Sequence, residues 1–479
     1  MAPENIQNFE VFHNIMKQEE NKGRLKTNYY PDEIQKISKD LLKLRAEYRK
    51  CRDDYEKKQM KCDVDRMKEE LDEKKDIYLK EIVSKINNAD VEIKIKESKA
   101  SGKVVYVVDN METMLICKFL MRELRKSYRQ YPANRNEIVE ELKVLLDDKM
   151  QKVLIRTDIH HFFESIPQEN LIKKISEDAY VSPESTKNIK KFFYQYNSLK
   201  SEYNEVGLPR GICFSSYLAE IYLKQVDREI AKIDGIYFYK RYVDDIVILA
   251  TPKCNLSGED YYMDKIKKIL EVVDLKLNTS DKYSKIVLDK NLVDYSHFTY
   301  LGYEFIISKD HVDLALPDKK KMRYKILIDM ILETYSKCSH YNKYKKTGNE
   351  RDKKEDALMQ MINEFSVLTG NGLLSGHKNY VAVGIFYSNK LLTCYDQLKE
   401  LDEYLYHSID NKEKFDPPRT LFRYNKQDCY DYCIDKIKNK IKMEYSFEKG
   451  FTSRRMYKGH DYQKVITKLK RFYLAREDE

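Results

Sequence analysis

Tyr242-Val243-Asp244-Asp245 sets two adjacent carboxylates between two apolar runs, 236–239 and 246–250. The runs are rich in β-branched and aromatic residues and read as strands, so the acids fall at a hairpin tip. There they can face a cleft without being buried in apolar surroundings. A divalent ion engaged in phosphoryl chemistry needs few hard oxygen ligands, with room left for water and triphosphate oxygens. Taken alone, the tetrapeptide reads as an ordinary solvated turn. A second acid, Asp158, ends the apolar strand 153–158, where it can reach into a cleft. His160-His161 follows and looks like a metal motif, yet adjacent side chains diverge on helix and strand alike, so the pair reads as solvated. Gly207-Leu-Pro-Arg-Gly211 lies ahead of a long helix at 217–233. Its glycines let backbone approach a ligand, and the helix start offers unpaired N–H donors. Arg135, at another helix start, reads as a phosphate contact or as a surface arginine.

These residues need a scaffold, and at 479 residues the chain is too long for one compact core. Apolar positions from Ile34 to Tyr55 recur in steps of three and four, which predicts one amphipathic helix running on past Leu71. Strands are expected at 91–94 and 104–108, flanking Ser101-Gly102-Lys103, and helices at 111–128, 138–146 and 261–273. Residues 275–278 read as a short strand and 279–285 as a polar stretch carrying Lys282 and Lys285. Residues 297–307 read as a hairpin turning at Gly302. From Pro317 the chain is helical and basic, 342–354 reads as a linker, and helices resume from Asp356, with breaks at 369–372 and 416–418. The segment 436–471 is strongly basic with interleaved aromatics, which suits a nucleic-acid groove or a solvated helix face.

Composition narrows the classes. A formal net charge of +9 and a pI of about 8.7 permit a polyanionic partner without demanding one. Nine cysteines are scattered with no CxxC pair, and Cys429 and Cys433 are spaced for one helix face. Free thiols in a reducing cytoplasm are therefore expected. The start Met1-Ala2-Pro3-Glu4 does not read as a signal peptide, and no apolar run of about 18 residues occurs. A soluble cytoplasmic protein with no membrane partner is the expectation.

In order, the chain presents strand-Asp158, a Gly-rich loop before a long helix, the Asp244-Asp245 hairpin, a lysine, and the Leu301-Gly302 hairpin. This series resembles, motif by motif, the palm of a reverse transcriptase over roughly residues 100–310. Asn134-Arg135-Asn136 is similar to the fingers motif, Leu277-Asn278 with Lys282 to the lysine motif, and Phe298-Thr-Tyr-Leu-Gly302 to the primer grip.

The resemblance implies an α+β fold, a right-hand polymerase of fingers, palm and thumb with an antiparallel palm sheet and a mostly α-helical C-terminal domain. The expected segments are helical region and fingers 1–150, palm 151–307, thumb-like helix 308–345 and basic helical domain 346–479. It implies an RNA-directed DNA polymerase with Asp158, Asp244 and Asp245 catalytic. Those three and Ile159 would bind two Mg²⁺, with Mn²⁺ as an alternative, and Asp245 would be supporting. Arg135, Lys103, Phe163, Arg210, Gly211 and Lys282 would hold nucleotide, and Tyr242, Leu301 and Gly302 primer or template. Phe163 would exclude a 2′-OH by sterics. The implied partners are dNTPs, an RNA template or non-coding RNA, the DNA product and further copies of the chain. The missing intron-maturase features and separate C-terminal region resemble the prokaryotic defence-associated (abortive-infection and "unknown group") members. Three departures stand out. Arg210 replaces the usual Gln, Ser216 replaces a frequent Pro, and Lys282 lies one residue further from Asn278 than is common. A template-independent or protein-primed polymerase, and a non-catalytic RNA-binding scaffold, remain as alternatives.

Overall fold

The computed structural model describes residues 8–88, 90–100, 102–129, 133–148, 150–199, 207–252, 260–278, 284–288, 296–340, 350–376, 379–411, 427–457 and 462–477. In chain order it opens with helices α1 (Phe9–Asn21), α2 (Asp32–Lys50) and α3 (Asp54–Asn87). The single helix expected here is interrupted at 51–53. Cys51 turns extended, and the Asp53 carboxylate accepts the Glu56 N–H at 2.8 Å, capping a new helix.

Next come strands β1 (Ile95–Ala100) and β2 (Lys103–Val108), then helices α4 (Met111–Ser127) and α5 (Arg135–Asp147). The strand expected at 91–94 lies further along. The Lys94 N–H donates to the Thr113 hydroxyl and the Val91 carbonyl accepts from Lys191, while the Lys94 carbonyl accepts the Asp109 N–H just past β2. Strand β3 (Lys152–Asp158) is followed by helices α6 (Gln168–Asp178), α7 (Pro183–Leu199) and α8 (Ser215–Ala231). Strands β4 (Ile236–Tyr242) and β5 (Asp245–Ala250) form the acid hairpin. Helix α9 (Asp260–Glu271) and strand β6 (Ser284–Leu288) complete the first half.

The second half holds β7 (Ser296–Tyr300), β8 (Tyr303–Ile307) and β9 (Val312–Ala315), then α10 (Asp318–His340) and α11 (Glu350–Leu368). A hairpin of β10 (Asn371–Gly376) and β11 (Asn379–Gly384) precedes α12 (Asp396–Asp410), α13 (Gln427–Glu444), α14 (Phe447–Thr452) and α15 (Tyr462–Glu477). That hairpin occupies a site read from sequence only as a helix break. Its anchor is the buried Asn371, whose amide donates to the Gly450 and Arg455 carbonyls and accepts from the Phe386 N–H.

Two compact units emerge. One comprises 1–133 and 152–287, the other 134–151 and 288–479. Helix α5 and strands β7–β9 thus belong with the C-terminal helices, a different partition from the expected boundaries at 150, 307 and 345. In the first unit the antiparallel sheet has the order β4-β5-β3-β6. Strand β5 is buried from Ile246 to Ala250, with β4 and β3 on its two edges and with Ile246, Ile248 and Ala250 packed into the core of the unit. Its core draws Phe119, Leu120, Phe192, Phe214, Leu218, Ile248 and Ile266 into one cluster. The second unit has the sheet β7-β8-β9 and the packed helices α10, α11, α12 and α15. Among the described residues no helix is long and apolar enough to cross a membrane.

Ile248 is fully buried at the centre of this sheet. Ile248→Ala should cost about 2–5 kcal/mol of stability, read as a lower urea midpoint for the unit. An unchanged midpoint would mean the sheet is not the core described.

Candidate active site

Strand register builds the cleft. β3 pairs antiparallel with β5, and the partners run from Val153↔Ala250 to Asp158↔Asp245. β4 pairs with β5 down to Tyr242↔Asp245, leaving Val243 and Asp244 as the two-residue tip. The Ile159 N–H donates to the Asp244 carbonyl at 3.2 Å, tying the end of β3 to that tip. Asp158 and Asp244 both line one cleft, with Ile159, Phe163, Lys103, Arg210 and Asn278. Its volume of about 470 Å³ lies within the range of small-molecule sites.

The two acids of the hairpin are not equivalent. Asp244 lines the cleft, whereas Asp245, on the far side of the tip, lies 3.7 Å from the Arg156 guanidinium. Asp244 belongs to the turn, whereas Asp245 is the first residue of β5, directly opposite Asp158 in the ladder, two positions along β3 from Arg156. Asp158 is 3% exposed, and its backbone carbonyl accepts the Asn278 N–H at 2.8 Å. The Asn278 amide also approaches the Asp158 carboxylate at 3.4 Å.

The Gly-rich loop forms another wall. The Leu208 N–H donates to the Phe163 carbonyl at 2.6 Å, and the Tyr106 N–H to the Arg210 carbonyl at 2.7 Å. These approaches require glycine. A Cβ on Gly207 would sit 2.3 Å from the Phe163 and Glu164 backbone, and one on Gly211 2.6 Å from the Tyr106 carbonyl oxygen. Gly211 also has φ +97°, a conformation L side chains rarely adopt. Phe162 is buried and Phe163 half-buried, the two rings meeting edge to face. Arg210 pairs with Glu164 at 3.0 Å and lies over the Phe163 ring at 5.7 Å. The sequence reading missed Glu164, although it is the acid next to Phe163. His160 and His161 line the same cleft and are exposed.

Arg241, just ahead of Tyr242, was also missed. Its side chain is 4% exposed and ion-pairs with Glu220 and Asp227 of α8. Burial works against its charge, but hydrogen bonds and charges from those two carboxylates outweigh it and raise its pKa. Lys282 lies outside the described residues.

Arg135, Leu301 and Gly302 come together in the second unit. The Arg135 Nε donates to the Leu301 carbonyl at 2.6 Å, and the guanidinium stacks 4.9 Å over the Tyr303 ring. Lys320 donates to the Gly302 carbonyl at 2.8 Å and to Asn389 at 2.9 Å. A residue expected to contact phosphate is here a brace of the β7–β8 turn.

The donor set fits Mg²⁺. Among the described residues no group of three or more His, Cys, Asp or Glu gathers as a metal cage. Mg²⁺ at phosphoryl-transfer sites takes one or two carboxylates and completes its shell with water and substrate phosphates. Asp158 and Asp244 in an open cleft are that kind of donor set.

A sheet ending in acids and walled by a glycine-braced loop is suited to nucleotidyl transfer. Residues 108–305 match the family model described as reverse transcriptase (RNA-dependent DNA polymerase), a stretch of less than half the chain. Asp158, Phe163, Arg210 and Asp244 all lie inside the matched stretch. No curated protein matches it. Similar solved structures include a telomerase from Candida albicans in complex with a TWJ fragment of telomeric RNA. It is 14% identical with a TM-score of 0.32, over 79% of this chain and 64% of that one. The apo telomerase from Candida tropicalis is 14% identical, with a TM-score of 0.32, over 80% and 65%. The same enzyme truncated at its C-terminal domain is 13% identical, with a TM-score of 0.32, over 47% and 55%. The chain therefore spans 55% to 65% of the length of these relatives.

Burial, with repulsion from Arg135 and Arg323, lowers the Lys320 pKa from its ordinary 10.5 to about 8. Between those values the unfolded chain holds the proton that the folded chain has released, so this group makes stability rise with pH from about 8 to 10.5. The urea midpoint of the wild type should gain on that of Lys320→Met across this window. Parallel profiles would count against the assignment.

Proposed function

We propose that this chain is a reverse transcriptase that copies RNA into DNA from dNTPs at the Asp158–Asp244 cleft. The observation that carries the reading is the convergence of both carboxylates, Phe163 and Arg210 on one open cleft within the matched domain. Asp158 and Asp244 would hold two Mg²⁺, or Mn²⁺, with Ile159 contributing beside them and Asp245 supporting the tip. When bound, the ions would neutralise triphosphate charge and lower the pKa of the primer hydroxyl. The protein's own part is positioning. Lys103 and Arg210 would meet the triphosphate, and the Phe163 ring would press on the sugar at C2′, rejecting a hydroxyl there. Gly211 would let the loop backbone approach the nucleotide, and Tyr242, Leu301 and Gly302 would guide primer or template.

The biological setting we propose is prokaryotic anti-phage defence with a non-coding RNA partner and more than one copy of the chain. The missing intron-maturase features and the basic, helical C-terminal region support it. A second reading, untemplated or protein-primed synthesis, is favoured by one observation. Arg210 is committed to Glu164 rather than offering the neutral amide usual at that position, and its buried Nε meets no acceptor among the described residues.

Purified protein with Mg²⁺ and dNTPs should make DNA complementary to an RNA template. A homopolymer or random product would favour the second reading. Asp244→Asn should remove synthesis; retained synthesis would overturn the reading of the cleft. Phe163→Ala should raise incorporation of ribonucleotides relative to deoxyribonucleotides, measured by paired competition. An unchanged ratio would remove Phe163 from sugar selection.

A further inference from the structure

Val243 holds the acid hairpin at its tip with φ +60°. A β-branched residue in the left-handed region is an outlier, and such strain persists only where its surroundings over-determine it. The source of that constraint is visible. Arg241 Nη1 donates to the Val243 carbonyl at 2.7 Å and to Glu220 Oε1 at 3.0 Å. Its Nη2 donates to Glu220 Oε2 and to Asp227 Oδ2, both at 2.7 Å, and its Nε to Asp227 Oδ1 at 2.8 Å. Every donor of the guanidinium fork is thus used. The Tyr239 hydroxyl donates to the same Asp227 oxygen at 2.7 Å, fixing that carboxylate from a second side.

The arrangement is directional. Glu220 and Asp227 both stand on α8, seven positions apart and so on one helix face. They present a rigid pair of carboxylates to which the planar fork matches bidentately. The remaining N–H of the fork reaches the tip. Asp244 follows Val243 directly, so the backbone conformation at Val243 sets where the Asp244 carboxylate points.

We propose that Arg241 is a positioning residue that clasps the acid hairpin to α8, holds Val243 left-handed and so aims Asp244 into the cleft. This inference rests on the reading of the cleft as a polymerase site. A buried cation between two carboxylates is weak as a source of net stability, since desolvation offsets most of the attraction. Its geometric value is greater, because a lysine supplies a point charge without the planar fork. Displacing a reacting group by an ångström can cost on the order of 10²-fold in rate.

The test combines Arg241→Lys, Val243→Gly and their double variant, with wild type, each checked for folding by circular dichroism and thermal unfolding. Arg241→Lys should lower kcat about 10²-fold with little change in the KM for dNTP, and should weaken Mn²⁺ binding followed by electron paramagnetic resonance. Glycine takes the left-handed conformation without strain, so adding Val243→Gly should return part of both losses. A folded Arg241→Lys with wild-type kcat and Mn²⁺ affinity would overturn the proposal. So would losses that Val243→Gly does not relieve. If Arg241→Lys does not fold, Glu220→Gln removes one charge while keeping the shape, and should show the same paired losses in milder form. Its failure to do so would also overturn the clasp. A wild type that binds Mn²⁺ but makes no DNA would count against the polymerase reading alone, since the ion-binding comparison still tests the clasp.

Discussion

The register between β3 and β5 is the constraint on which the cleft depends. With Asp158 opposite Asp245, the end of one strand meets the tip of a hairpin, and the Ile159 N–H can reach the Asp244 carbonyl. Side chains alternate along a strand, so a slip of one residue would send every one of them to the other face. The fully buried run Ile246–Ala250 resists such a slip, because it would carry buried apolar side chains out of their packed positions. The geometry of the cleft is thus held by hydrophobic burial several residues away from the acids.

Around that register the remaining walls are backbone held against backbone. The loop 207–211 lies so close to Phe163 and Tyr106 that two of its positions have no room for a side chain. This closeness holds the loop with few side-chain contacts, and leaves Arg210 and Phe163 among the side chains that line the cleft. The Arg210–Glu164 pair is partly exposed on both sides, so water screens it and it adds little to stability. Its consequence is directional: it keeps the guanidinium over the Phe163 ring.

The second unit uses the same device at the β7–β8 turn. Leu301 stands at φ +43°, and the carbonyls of Leu301 and Gly302 receive Arg135 and Lys320 with Tyr303 between the two cations. Two cations against one ring and two carbonyls specify the turn. The proximity of the cations is one reason the Lys320 proton is held less tightly than usual.

Much of this was legible in the residue order. The acid-bearing strand, the hairpin, the Gly-rich loop ahead of α8 and the turn at Leu301-Gly302 are local patterns, carried by alternation, helical spacing and glycine placement within a few residues. They pointed to the two acids that line the cleft. Where local pattern misled, a distant partner had intervened. Thr113 takes the Lys94 N–H and Lys191 the Val91 carbonyl, and Asn371 organises a hairpin that reads as a helix break. Other roles had no local signal at all. Arg135 meets a carbonyl 166 residues away, Arg241 meets acids that the spacing of α8 brings together, and Asp245 meets Arg156 rather than facing the cleft. Sequence by itself determined which residue types were available for phosphoryl chemistry and in what order. Tertiary structure alone decided which of them face the cleft and which brace it, because a side chain's partner depends on chain closure over distances that local pattern does not encode.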